Sequence, residues 1–150
     1  MERYLSILEE LCSLLEELVQ IEQIKLEAAR KKRITGIESC MKQEQAAVLK
    51  LRGLEQQREQ AQEQLGFAEK TFKEILQCAN GEQYRQLAPV YQRLSSGLEL
   101  FRSVSKSCAD MISVNLHEIE QKLSKDKAAG TYATDGSMAK ESKHITDWRV

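Results

Sequence analysis

The sequence predicts an all-α protein: an elongated up-down bundle of three long helices plus one short helix, with a disordered C-terminal tail. Three observations carry this. The 150 residues include one proline, with 30% charged and 5% aromatic residues, the balance of a helical bundle rather than a β-fold or an aromatic-rich enzyme core. Apolar residues recur in alternating steps of three and four through three long stretches. Those stretches are dominated by Glu, Gln, Lys, Arg, Leu and Ala, all good helix formers.

The first helix is expected over residues 4–33. Leu8, Leu11, Leu15 and Leu18 make its seam, Leu5, Cys12, Val19 and Leu26 sit beside it, and Ile7, Leu14 and Ile21 form a third row. A helix apolar around more than one stripe either touches two neighbours or offers a binding face. Ile7, Leu14 and Ile21, or part of the opposing face of the third long helix, are therefore candidate partner-binding positions. The run Arg30-Lys31-Lys32-Arg33 reads as cations complementing the negative end of the helix dipole. Its functional alternative, an anion or nucleic-acid site, lacks interleaved aromatics and a basic net charge.

The second helix is expected over residues 36–65. Thr35-Gly36-Ile37-Glu38 reads as a capping box at its start and Gly66 as its stop. At ~1.5 Å per residue such a helix spans about 45 Å, too long for a compact globule of this size. Its seam is Ile37, Met41, Glu44, Val48, Leu51, Glu55, Arg58, Gln62 and Leu65, with Cys40, Ala47, Leu54 and Ala61 flanking. Glu44, Glu55 and Arg58 stand where apolar residues belong. They read as inter-helix ion pairs that fix alignment, the alternative being a polar partner-binding patch. The short link after Arg33 makes this helix antiparallel to the first.

A short helix is expected near residues 68–78, with Phe67, Phe72, Ile75 and Leu76 folding over the end of the hairpin, and Asn80-Gly81 as a turn. Pro89 predicts a kink or a new start. The third long helix follows over 90–125, about as long as the first two. The core is expected to draw on Leu8, Leu11, Leu15, Leu18, Met41, Val48, Leu51, Leu94, Leu98, Phe101 and Ile112. Residues 1–126 thus form a helical bundle. Residues 127–150 are a polar tail with too little apolar content to order itself, interrupted by Tyr132, Ile145 and Trp148 as isolated anchors. Tyr132 and Trp148 are candidate partner-binding residues.

Chemistry finds little foothold. Cys12, Cys40, Cys78 and Cys108 are far apart, each reads as a small buried thiol, and no C-x-x-C or histidine pair suggests zinc. A di-iron bundle wants Glu-x-x-His on facing helices, whereas Val114 precedes His117, and the pair Glu141 and His144 lies in the tail. No enzyme activity and no cofactor are expected. A net charge of −1 excludes bulk attraction to nucleic acid or anionic membrane. No apolar run reaches the ~20 residues of a membrane span, and the first residues lack the pattern of a signal peptide, so the chain is expected to be cytoplasmic.

Glu44-Gln45, Leu49, Leu54-Glu55 and Arg58 on the second helix, then Leu65-Gly66 and a short piece before a final long helix, resemble the FlgN-type flagellar export chaperones. The Leu/Glu-rich first helix and a polar tail with a Tyr before Asp-Gly fit the same pattern, which covers most of the chain. Where that family often has two asparagines three apart late in the last helix, this chain offers Ser107 and Asp110. The resemblance implies a non-enzymatic chaperone, monomer or weak dimer. It would bind terminal helical segments of hook–filament junction (hook-associated) proteins, prevent premature assembly and deliver them to the flagellar type III export apparatus, with Tyr132 as the tail residue suited to hand-over. The competing class is a structural coiled-coil oligomer or scaffold subunit, in which identical chains cover the surplus stripe.

Overall fold

A computed structural model resolves four α-helices: α1 (Glu2–Arg30), α2 (Ile34–Gln64), α3 (Phe72–Cys78) and α4 (Gly81–Ala128). The structure describes residues 1–129, and no strand occurs among them. The expected division at residue 126 falls just inside the end of α4, and most of the expected tail lies outside the described residues.

The bundle is organised on α1. Its buried residues, from Tyr4 through Leu8, Leu11, Leu15 and Leu18 to Ala29, cover an arc of roughly 200° at about 100° per residue. Two neighbours are needed to cover such an arc, and α2 and α4 supply them, each packing along α1. Among the described residues, the backbones of α2 and α4 make no close approach to each other. The short link makes α2 antiparallel to α1. α4 runs parallel to α1: Arg93 Nε donates to Glu16 Oε1 (2.7 Å) and, further along both helices, Asn115 Nδ2 donates to the Ala29 carbonyl (2.8 Å).

On α2 the face toward the core is set one row away from the expected seam. Cys40, Ala47, Leu54 and Ala61, spaced by seven, are buried, while Val48 and Leu51 are half-buried and Met41 is exposed. Small side chains let α2 settle close to α1, and the larger residues then flank the contact. Ile112 on α4 is likewise only half-buried, whereas Leu94, Leu98 and Phe101 are core residues as expected.

The helix ends correct several expectations. α1 stops at Arg30, not Arg33, in a Schellman-type turn. Arg33 N–H donates to Ala28 O (2.9 Å) and Lys32 N–H to Ala29 O (3.0 Å), with Lys32 left-handed at φ 54°. No capping box forms at Thr35. The N-cap of α2 is Arg33, without a side-chain bond, and Thr35 and Gly36 already lie inside the helix. Gly36 serves close packing instead: a Cβ there would sit 3.1 Å from Ala28 Cβ. At the other end Gly66 (φ 77°) closes α2 as expected, with Phe67 N–H donating to Gln62 O (3.0 Å) and Gly66 N–H to Glu63 O (2.9 Å).

Two capping boxes do form further on, Thr71 with Glu74 on α3 and Asn80 with Gln83 on α4. α3 rests on α4, with Phe72 edge-on to Tyr91 (centroids 5.2 Å apart) and Ile75 fully buried. Asn80 therefore opens the last helix rather than a free turn, and the helix runs on through Pro89. Proline removes only the bond to the Arg85 carbonyl, and its ring is exposed. The result is a helix of 48 residues against 29 and 31 for α1 and α2, so the three rods are not equal in length. At ~1.5 Å per residue α4 is about 72 Å long.

Two glycines inside helices have opposite surroundings. Nothing lies within 4 Å of a Cβ built on Gly53, but one on Gly97 would meet Leu15 Cδ2 at 2.8 Å, where α4 crosses α1. Gly53→Ala is expected to raise stability by about 0.5–1 kcal/mol through helix propensity alone. Gly97→Val is expected to lower it by about 1–3 kcal/mol through overpacking. Urea unfolding followed by circular dichroism measures both.

Candidate partner-binding surface

The core-facing stripe of α4 does not stop where the bundle stops. Leu87, Leu94, Leu98, Phe101 and Cys108 are buried on it, and steps of four and three continue the same face through Ile112, Leu116, Ile119 and Leu123. Burial is lost along this continuation. Ile112 is half-covered, Leu116, Ile119 and Leu123 are about half exposed, and every residue from 119 to 129 is exposed. The cause is the mismatch in helix length. α1 turns back at Lys31–Arg33, and α4 leaves it there, with Asn115 holding the Ala29 carbonyl and Glu118 pairing with Lys32. From Glu118 to Ala128 α4 extends about 15 Å past the turn.

This part of α4 is amphipathic and uncovered. Charged and polar residues (Glu118, Glu120, Gln121, Lys122, Lys125) surround the apolar face and keep the helix solvated elsewhere. An amphipathic helix end of this kind can take the apolar face of another helix.

The sequence-derived candidates fall elsewhere. Ile7, Leu14 and Ile21 were expected to remain partly accessible; all three are buried, at 4%, 1% and 5% exposure. The second apolar stripe of α1 is there because α1 has two neighbours, so α1 is core and the free face belongs to α4. Tyr132 and Trp148 lie outside the described residues, as do Ile145 and His144. The signal for the α4 face was present in Leu116, Ile119 and Leu123, but it means an uncovered surface only once α4 is known to outrun α1.

The charged residues on α2 pair in two groups. Near the hairpin turn, Lys25 Nζ on α1 donates to Glu22 Oε1 (2.8 Å) and to Glu44 Oε1 on α2. Glu22 is buried and its other carboxylate oxygen has no hydrogen-bond partner. Burial, with the neighbouring Glu22 also raising it, pushes the Glu44 carboxyl up to about 7 despite the opposing pull of Lys25. Burial pulls the Lys25 ammonium down, but its bonds to Glu22 and Glu44 more than offset this and leave it raised. Cys40 and Cys108 are buried close enough to feel these charges, and burial raises the Cys108 thiol to about 11.

At the other end, Arg58 pairs with Glu55 and donates to Gln62 Oε1. Gln62, also buried, turns its amide nitrogen to the carbonyls of Phe67 (2.8 Å) and Lys70 (2.7 Å), pinning the link between α2 and α3. The Tyr4 phenol interacts electrostatically with Arg58, though its buried hydroxyl makes no hydrogen bond of normal geometry; burial raises its pKa. Glu44 is thus an inter-helix pair, as expected, whereas Glu55 and Arg58 pair within α2.

Three cations of the basic run at the hairpin are matched: Arg30 and Lys31 pair with Glu27, and Lys32 with Glu118. All four cysteines are free, and Cys78, expected to be buried, is exposed with Lys70 Nζ 3.3 Å from its sulfur. Among the described residues no group of three or more His, Cys, Asp or Glu side chains could hold a metal ion. No described helix is long and apolar enough to cross a membrane.

An all-helical bundle with an uncovered apolar helix end has the architecture of a protein that works by binding other proteins. The family model of the FlgN protein matches residues 1–140, and the chain belongs to the FlgN family. That family is one of flagellar chaperones and not of enzymes. Searches of curated proteins and of solved structures returned no match.

Because Ile119 and Leu123 are exposed and lie outside the core cluster, replacing either with Lys is expected to change stability by less than about 0.5 kcal/mol. Leu98→Ala, on the same face but inside the bundle, is expected to cost about 2–5 kcal/mol. Chemical denaturation of the three variants distinguishes covered from uncovered parts of the stripe.

Proposed function

We propose that the protein is a cytoplasmic chaperone of flagellar type III export that binds amphipathic terminal segments of hook–filament junction proteins on the free end of α4. The observation that carries this reading is the apolar face Leu116, Ile119 and Leu123, exposed at the end of a helix whose earlier turns pack along α1. Membership of the FlgN family supports the chaperone role. A client segment that would aggregate or assemble too early buries its own apolar stripe on this face, at an ordering cost that keeps the complex releasable. The chaperone itself is a monomer or weak dimer in this reading.

Residues 127–150 act as a separate element. Tyr132 and Trp148 serve as anchors for the export apparatus, and the bundle folds without them. The free face of α4 and the tail are adjacent in sequence, so client capture and delivery are carried by neighbouring segments.

The double variant Leu116→Glu, Ile119→Glu is expected to weaken binding of a junction-protein terminal peptide at least about tenfold in calorimetry, with unchanged helicity. Unchanged affinity would place the client elsewhere. Light scattering across concentrations tests the scaffold reading, which requires a stable oligomer that the same double variant dissolves. Deleting residues 127–150 is expected to leave the melting temperature nearly unchanged and to abolish client delivery in an export assay.

A further inference from the structure

The cluster at the α1–α2 hairpin contains more acceptors than donors. Lys25 Nζ is bonded to one oxygen of Glu22 and one of Glu44, which brings two carboxylates together on a single ammonium. Glu22 is 97% buried, taken from its 3% exposure, and its Oε2 has no donor. The other described groups acting on this site are the Cys40 thiol on α2 and the Cys108 thiol on α4, both buried. Among the described residues Lys25 is the cation that acts on Glu44. With both carboxylates ionised the site holds a net negative charge and an unsatisfied buried oxygen, each of which costs stability.

We propose that the folded protein keeps a proton in this cluster, carried by Glu44 and donated to Glu22 Oε2, so that the first turns of α2 are pinned to α1 in a pH-dependent way. The proton completes the hydrogen bonding of Glu22 and reduces the cluster to one carboxylate against one ammonium. When the proton leaves to solvent, the two carboxylates repel across Lys25 and the pairing of α2 on α1 loosens locally. The raised pKa of Glu44, about 7, accords with the geometry. This inference is independent of where the client binds.

The sign follows from linkage. A carboxyl that titrates near 7 when folded, but at its ordinary value of about 4.3 when released, binds more protons in the folded state between those values. Its stabilisation is complete at low pH and is lost as pH rises through 7. Glu16, Glu27, Glu74 and Glu118 shift in the opposite direction: their own hydrogen bonds, chiefly to Arg93, Lys31, Thr71 and Lys32, hold them below the ordinary carboxylate value.

The test is carried out on the full chain. Carboxyl-selective NMR is expected to show Glu44 titrating with a midpoint between pH 6 and pH 8, and a midpoint below pH 5 would overturn the proposal. Hydrogen exchange of amides from Glu38 to Val48, corrected for intrinsic rates, is expected to show opening that rises by up to about tenfold per pH unit between pH 5 and pH 7 and levels off above. Glu44→Gln, which retains a donor for Glu22 without a titrating group, is expected to abolish that pH dependence. Equal dependence in both proteins would refute the pinning role, and should the variant fail to fold, the wild-type NMR titration decides.

Discussion

Everything in this molecule depends on the width of the apolar surface of α1. An arc of roughly 200° is too broad for one partner helix and requires two. α2 and α4 are held to α1 rather than to each other, so α1 acts as the spine and the other helices as its cover. The aligned row of small residues on α2 and the glycine on α4 where it meets Leu15 are local accommodations to this arrangement. Each lets a covering helix come close to the spine without forcing the spine to change.

Polar groups occupy the ends of the shared surface and do different work at each. At the hairpin end, the cluster around Lys25 spans α1 and α2 and fixes how far one has slid along the other. At the opposite end, the chain of Glu55, Arg58 and Gln62 reaches from a helix side chain to the backbone of the next loop. A buried glutamine that bonds two loop carbonyls satisfies its own amide and fixes the loop at once, and a buried amide is expensive to leave unsatisfied. The apolar middle supplies stability, while these terminal networks choose one alignment out of several that a Leu-rich seam would tolerate.

The class of fold was legible because helix periodicity is a repeated signal, present in Leu8 through Leu18 and again from Leu94 through Phe101. What could not be read was which row of a widened stripe faces inward. Met41 and Ala47 belong to adjacent rows of α2, and only the distance between helix axes decides in favour of the smaller residue. Helix ends were harder still. Thr35 has the chemistry of a cap but sits where the chain has already become helical, and Asn80 has the chemistry of a turn but opens a helix. The consequence for the site was direct. The second stripe on α1 has the same pattern as a free face, so Ile7, Leu14 and Ile21, which are fully engaged, stood beside the third long helix as candidates.

Two of the bonds that tie α4 to α1, at Glu16 and at Ala29, divide the last helix into parts with different freedom to vary in length. One residue inserted between Arg93 and Asn115 would rotate everything beyond it by about 100° and carry Asn115 off the Ala29 carbonyl. Only additions close to whole turns, matched on α1, keep both ends in place. Past Glu118 that constraint relaxes for the apolar face, since Ile119 and Leu123 are exposed. A change of length there alters how far the exposed face reaches without moving Asn115 off the Ala29 carbonyl.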